Sequence, residues 1–226
     1  MSTRSSAPRK STRNPELTRR RLLRAATRLF SRRGYDGVSV DDIVAAARVN
    51  KRMVYHYFGD KEGLYAVVLR EVFGRLADME LESFSQAQDP ADTIRKILQT
   101  YFEFLGTNPD FVALLAWENL HRGRFLAANP GVLTKTPVLK RLEECLREGV
   151  ARRVFRPKVN VKHLLISLIS IGYVYHANRY TLSQSVGLDL QSPKVLREGL
   201  DHAVTLILEG LLVPEGRKQK AKKRKS

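Results

Sequence analysis

A chain of 226 residues with 43% apolar content can bury one large or two modest cores, and its net charge of +17 suits a polyanion or a membrane surface. Its single cysteine, Cys145, excludes an intramolecular disulfide and a cysteine-based zinc site and fits a reducing compartment. Residues 1–13 lack the apolar core of a signal peptide, and the longest apolar run, residues 164–175, is interrupted by Ser167, Ser170 and Gly172 and is too short for a bilayer, so no membrane partner and a cytoplasmic location are expected.

The charge is uneven: +9 over residues 1–60, +2 over 61–212 and +6 over 213–226. Residues 1–13, basic and Ser-rich without hydrophobic periodicity, read as a disordered arm that is either solvated or in contact with phosphates or the minor groove. A helix is expected from near Asn14, with Pro15 suited to its first position and Gly34 ending it. Leu22, Leu23, Ala26, Leu29 and Phe30 recur at helical spacing, which leaves Arg20, Arg21, Arg24 and Arg28 outward.

Residues 39–58, SVDDIVAAARVNKRMVYHYF, carry the clearest signal. Ser39 can cap a short helix with Asp41 and Asp42 in its first turn and Ile43, Val44, Ala46 and Ala47 as its apolar face. Arg48 and Val49 then form a tight connection, and Asn50 is placed to cap a second helix over residues 51–57. That helix starts with Lys51 and Arg52 and ends in Tyr55, His56 and Tyr57. Two short helices joined in this way form the pattern of a helix-turn-helix whose second helix enters a DNA major groove. Ala25 and Ala26 allow the pair to pack closely on the first helix, around a core of Phe30, Ile43, Val54 and Phe58.

Over residues 16–66 the sequence resembles the DNA-binding domain of the TetR-family transcriptional regulators. The matching residues are Thr18-Arg19, Leu22-Leu23, Ala25-Ala26, Leu29-Phe30, Gly34-Tyr35, Ile43, Ala47, Val49, the run Tyr55 to Phe58, Lys61 and Leu64. It departs from the family at Arg48 and Arg52, where glycine is common, and at Met53, where a small hydroxyl residue often contacts phosphate. Base preference therefore does not carry over from relatives lacking Arg52 and Met53. On DNA, Lys51 and Arg52 are placed to reach base edges, and Met53 a thymine methyl. Tyr55, His56, Tyr57 and Lys61, with Thr18 and Arg19 from the first helix, are expected on phosphates. Packing inside the three-helix unit is the alternative for Tyr55 and Tyr57; the family pattern favours contact.

Asp60 caps the next predicted helix, residues 61–82, with an apolar seam of Leu64, Val68, Val72, Leu76 and Met79, and residues 83–90 read as a loop. As this helix starts beside the DNA-reading pair and ends in the second domain, it reads as the coupling element. Asp89 and Pro90 announce a helix with Ile94, Ile97, Leu98, Tyr101, Phe102 and Leu105 on one face. A helix over residues 111–122, with Val112, Leu114, Leu115, Trp117 and Leu120, is apolar nearly all round and so expected to be central. Residues 123–136 read as a loop, followed by an amphipathic helix bearing Val138, Leu139, Leu142, Cys145 and Leu146. Asn160 caps a long apolar helix to about Leu182. Ser192 and Pro193 start the last, with Leu196, Leu200, Ala203, Val204, Ile207, Leu208 and Leu211 on one face.

The expected fold is all-α: a basic arm over 1–13, an N-terminal three-helix helix-turn-helix domain over 14–66, a C-terminal helical effector-binding and dimerisation domain over 67–212, and a basic tail over 213–226. The last two long helices carry surplus apolar surface, which the family resemblance implies is buried in a four-helix homodimer interface; plain core positions are the alternative. Candidate effector contacts are Tyr101, Phe104, Trp117, Glu118, His121, Tyr173, His176 and Arg179. Arg179 could pair with a ligand carboxylate, with Asp189 or with a helix terminus. Glu118 and His121 have metal-ligand spacing, but one pair does not close a site, and neither a metal nor another cofactor is expected. No nucleophile elbow, Walker loop, dinucleotide fingerprint or HExxH occurs, so an enzyme is not expected. The function read from this pattern is a ligand-responsive transcriptional regulator, a repressor, that binds a pseudo-palindromic operator in double-stranded DNA and is released by an unidentified small-molecule effector. The alternative is an effector-free architectural DNA-binding protein.

Overall fold

The computed structural model describes residues 15–214, and the chain divides into two units at Val68 and Leu69. The basic arm and most of the basic tail lie outside the described residues.

The first unit holds α1 (Pro15–Arg33), α2 (Val40–Ala47), α3 (Arg52–Phe58) and the start of α4 (Lys61–Ser85). Pro15 opens α1, and Gly34, at φ 69°, stops it in a left-handed conformation that costs glycine little. α1 packs against α2 and α3. Leu22, Ala26, Phe30, Ile43, Val54 and Leu64 are fully shielded from solvent, the larger side chains each stabilising the unit by about 1.5–3 kcal/mol. Tyr65 closes the core, its ring 4.9 Å edge-on from Phe30. The expected apolar face of α2 is narrower than its sequence: Ile43 and Ala47 are buried, Val44 is half-buried and Ala46 is exposed. A two-turn helix against one neighbour buries a stripe, and Ala46 falls off its edge.

The second unit holds the rest of α4, α5 (Pro90–Thr107), α6 (Pro109–Leu120), α7 (Arg124–Ala128), α8 (Thr136–Ala151), α9 (Val161–Ala177), α10 (Arg179–Val186) and α11 (Pro193–Leu211). Asp89 Oδ1 accepts the Asp92 N–H at 2.9 Å, and Asn160 Oδ1 accepts those of Lys162 and His163 at 3.0 and 3.1 Å. These bonds fix where α5 and α9 begin. α5 is central and packs against α6, α8, α9 and α11. Its contact with α9 is close because residue 172 is glycine: a Cβ there would stand 3.1 Å from that of Tyr101.

Several expectations are corrected here. α4 runs three residues past 82, so the loop before Asp89 is only residues 86–88. Its inward stripe continues through Glu80 and Ser83, both buried, while Met79 is exposed. α6 is not central: Phe111, Leu114 and Glu118 are buried but Leu120 is 71% exposed. An apolar circumference records composition, and α6 is covered only where its neighbours reach. Residues 123–136 are not all loop, since α7 lies within them. The single helix expected from 160 to 182 is interrupted at Asn178, whose φ of −103° and ψ of 12° leave the helical well, giving α9 and α10. Among the described residues there is no strand, only one isolated bridge, Phe155 with Leu212, and no helix is long and apolar enough to cross a membrane.

Candidate nucleic-acid interface and effector site

The turn between α2 and α3 is built from local hydrogen bonds. Ser39 Oγ accepts the Asp42 N–H at 3.0 Å, and Asp42 Oδ2 accepts the Ser39 N–H at 2.8 Å, a reciprocal capping box. These bonds, with Arg33 nearby, hold the Asp42 carboxyl below its ordinary pKa. α2 ends on Arg48 at φ 54° and ψ 50°, a left-handed corner that costs a side-chain-bearing residue about 1 kcal/mol relative to glycine. Asn50 Oδ1 then accepts the Arg52 N–H at 2.9 Å. The expected cap is in place, while α3 begins and ends one residue later than expected. Gly59, at φ 80°, ends α3, and Asp60 Oδ1 accepts the Gly63 N–H at 2.7 Å to start α4.

Seven residues of α3 divide cleanly. Val54 and Phe58, four apart, turn inward, while Arg52, Tyr55 and His56 are exposed, as is Lys51 just before them. Lys51 Nζ lies 2.9 Å from Asp41 Oδ1, and this partner raises the ammonium pKa. Met53 and Tyr57 are half-buried, the Tyr57 ring standing between His56 at 4.8 Å and Phe58 at 6.1 Å. Lys61 Nζ sits 4.0 Å over the Tyr35 ring. On α1, Thr18 and Arg19 are half-buried, and the Arg19 guanidinium is 5.8 Å from the Phe58 ring. One surface therefore carries Lys51, Arg52, Tyr55 and His56. Such a surface offers a guanidinium able to bond guanine through two atoms, with cations and hydroxyls for phosphates beside it.

The eight residues expected to meet an effector have separate surroundings. Tyr101 is buried and its hydroxyl donates to Glu80 Oε1 at 2.6 Å, with Lys135 Nζ 2.5 and 2.7 Å from the two Glu80 oxygens. Burial and then the Glu80 charge push the Tyr101 phenol well above its ordinary pKa. The sequence reading missed Glu80 and Lys135; the available signal was an acid at position 80, four residues after Leu76 on the apolar stripe. Phe104 is buried edge-on to Phe111 at 5.0 Å. Glu118 is buried, with Oε2 3.4 Å from the Leu126 N–H, and His121 Nδ1 lies 2.8 Å from the Trp117 carbonyl oxygen. Among the described residues no three His, Cys, Asp or Glu side chains are grouped to hold a metal ion. Tyr173 and Trp117 are half-buried. A cleft of about 190 Å³ between the α4–α5 loop and α8 includes Phe84, Arg141 and Cys145 and none of these eight. Burial raises the Cys145 thiol to about 11.

His176 and Arg179 differ from the others. His176 is 7% exposed, and neither its Nε2 nor Arg179 Nε has a hydrogen-bond partner among the described residues, at a cost of about 1–3 kcal/mol for each such group. Burial, then the Arg179 charge, lowers the His176 pKa below 6.5, although a hydrogen bond with the Phe102 backbone opposes this. A lowered folded-state value means that the unfolded chain takes the proton first as pH falls. Stability contributed by neutral His176 is thus intact above about pH 6.5 and is lost below it, through the folded value. Thermal unfolding across pH 5–8 should show a steeper acid-side loss for the wild type than for His176→Gln; parallel curves would show that His176 is not the titrating group.

A left-handed corner between two capped short helices, with cations and rings exposed on the second, defines a helix-turn-helix DNA-binding protein carrying a separate helical unit. Residues 22–68 match the family described as "Bacterial regulatory proteins, tetR family", and residues 90–207 match "Tetracyclin repressor-like, C-terminal domain". The chain belongs to the TetR family of bacterial transcriptional regulators. It is 30% identical over 195 residues to the HTH-type transcriptional repressor NicS of Pseudomonas putida, covering 86% of this chain and 92% of that protein. It is also 30% identical over 160 residues to the HTH-type transcriptional repressor SCO4008 of Streptomyces coelicolor, covering 71% and 79%. Its fold resembles that of SCO4942 of Streptomyces coelicolor, with a TM-score of 0.65 and 26% identity, covering 87% of this chain and 99% of that one. The protein is a DNA-binding transcriptional regulator, and the architectural alternative is not favoured.

Proposed function

We propose that this protein is a homodimeric repressor that binds a pseudo-palindromic operator and leaves it when a small molecule occupies the second unit. The observation that carries the reading is the exposed row Lys51, Arg52, Tyr55 and His56 on a helix fixed at both ends by Asn50 and Gly59. Arg52 reads a base edge; Met53 touches a thymine methyl from its half-buried position. Lys51 reaches base edges beside Arg52, exchanging Asp41 for DNA, and Tyr55, His56, Tyr57 and Lys61 set register on phosphates with Thr18 and Arg19.

Dimerisation through α9 and α11 is supported by the apolar surface they leave open, including Ile166, Val174 and Leu206. The continuous helix α4, which starts at Lys61 and ends at Ser85, supports its role as coupling element. Effector binding favours a dimer whose recognition helices no longer match successive major grooves about 34–36 Å apart, so operator affinity falls. Repression fits relatives that are themselves named repressors.

Selection from random DNA followed by footprinting tests the proposal. The expected product is two inverted half-sites about one helical turn apart. An enriched sequence without two-fold symmetry would overturn the dimeric reading.

A further inference from the structure

The stripe that α9 turns inward runs Leu165, Leu168, Gly172 and His176, all buried. Three residues further, beyond the break at Asn178, lies a cation, Arg179, the first residue of α10. Opposite lies the end of α5. A Cβ on Gly106 would stand 3.2 Å from His176 Cε1, and Gly106 itself is exposed, so this place lies at the rim of the interior. The imidazole is held through a hydrogen bond with the Phe102 backbone, which leaves Nε2 unpaired. The guanidinium lies over the Tyr180 ring, 4.8 Å from its centre, and Nη2 donates to the Tyr180 hydroxyl at 3.0 Å, while Nε is buried without a partner among the described residues.

No salt bridge joins Arg179 to a carboxylate among the described residues, and Asp189, a conceivable partner from its sequence position, instead accepts the Gln191 N–H at 2.9 Å. A partly buried cation bonded to a neutral hydroxyl lacks a counter-charge. Two donors three residues apart suit one carboxylate, whereas a phosphate dianion would bring more acceptors than they can satisfy.

We propose that Arg179 and His176 form an anion subsite that takes the carboxylate of a small organic acid, with the Nε–H of Arg179 and Nε2 of His176 as donors. His176 takes one proton from solvent as the acid binds, so that Nε2 becomes a donor. This rests on the reading that the second unit binds an effector; it adds the chemical class and the residues that choose it.

The test is calorimetric titration of the full-length protein with benzoate and pentanoate, each against its amide, benzamide and pentanamide, with footprinted DNA present in a parallel series. At least one acid is expected to bind about tenfold or more tightly than its amide, and Arg179→Gln to remove that preference. Amides that match their acids, acids that give no binding, or a preference retained in Arg179→Gln would overturn the proposal. The acid-to-amide ratio is a wild-type measurement, so it decides even if the variant folds poorly. An acid that binds by this criterion while DNA stays bound upholds the subsite and removes the effector reading. Neutral compounds that bind equally well and release DNA uphold the effector reading and remove the subsite.

Discussion

Replacing Arg52 by alanine should reduce the preference for operator over unrelated DNA by about 10- to 100-fold, corresponding to the roughly 1–3 kcal/mol of discrimination carried by one good side-chain-to-base pairing. The backbone beneath Arg52 is held by the Asn50 cap, and its side chain is exposed. Folding stability should therefore change by less than about 0.5 kcal/mol. Lys61→Ala offers the contrast: if Lys61 binds a phosphate as proposed, its loss should lower affinity for both DNAs together and reduce the salt slope by about one. Fluorescence anisotropy with operator and scrambled duplexes separates the two outcomes. Equal loss on both duplexes in Arg52→Ala would move Arg52 from base reading to backbone binding.

Lys135→Met should destabilise the protein by about 3–5 kcal/mol, the effect of leaving a buried carboxylate without its cation. The Glu80 side chain is 1% exposed and the Lys135 side chain 20%, so solvent screens the pair little. Removing Lys135 leaves Glu80 facing the Tyr101 hydroxyl. The double variant Glu80→Gln/Lys135→Met should recover most of the loss, because a buried amide facing Tyr101 carries no charge. Urea unfolding of wild type, single and double variants measures this directly. A single variant as stable as the wild type would mean that Glu80 draws on solvent rather than on Lys135.

Glu80 also shows why the two units differed in how far their sequences could be read. In the helix-turn-helix, Ser39, Asn50 and Asp60 cap helices through residues two or three positions away, and Gly34 stops α1 where it stands. Such signals are local, and the small core of Phe30, Ile43, Val54 and Phe58 follows from them. The caps at Asp89 and Asn160 were equally legible. The second unit, by contrast, depends on which neighbour covers which face. A period of 3.6 residues places positions 79 and 80 almost equally near the seam of α4, and the choice between them rests on Lys135, 55 residues away. Leu120 is exposed for the same reason, since no property of α6 alone states where its neighbours end. Arg179 and His176 are legible from sequence as effector candidates, but that both keep a buried polar atom without a partner among the described residues depends on α5 and emerges only from the packing.

The most direct test of sequence-specific regulation is competition at physiological salt between DNA from upstream of the protein's own gene, or the selected palindrome, and scrambled DNA of equal length. A preference of about a thousandfold or more is predicted. Equal affinities that fall steeply and in parallel with added salt would contradict it, because phosphate binding alone would then account for the whole affinity.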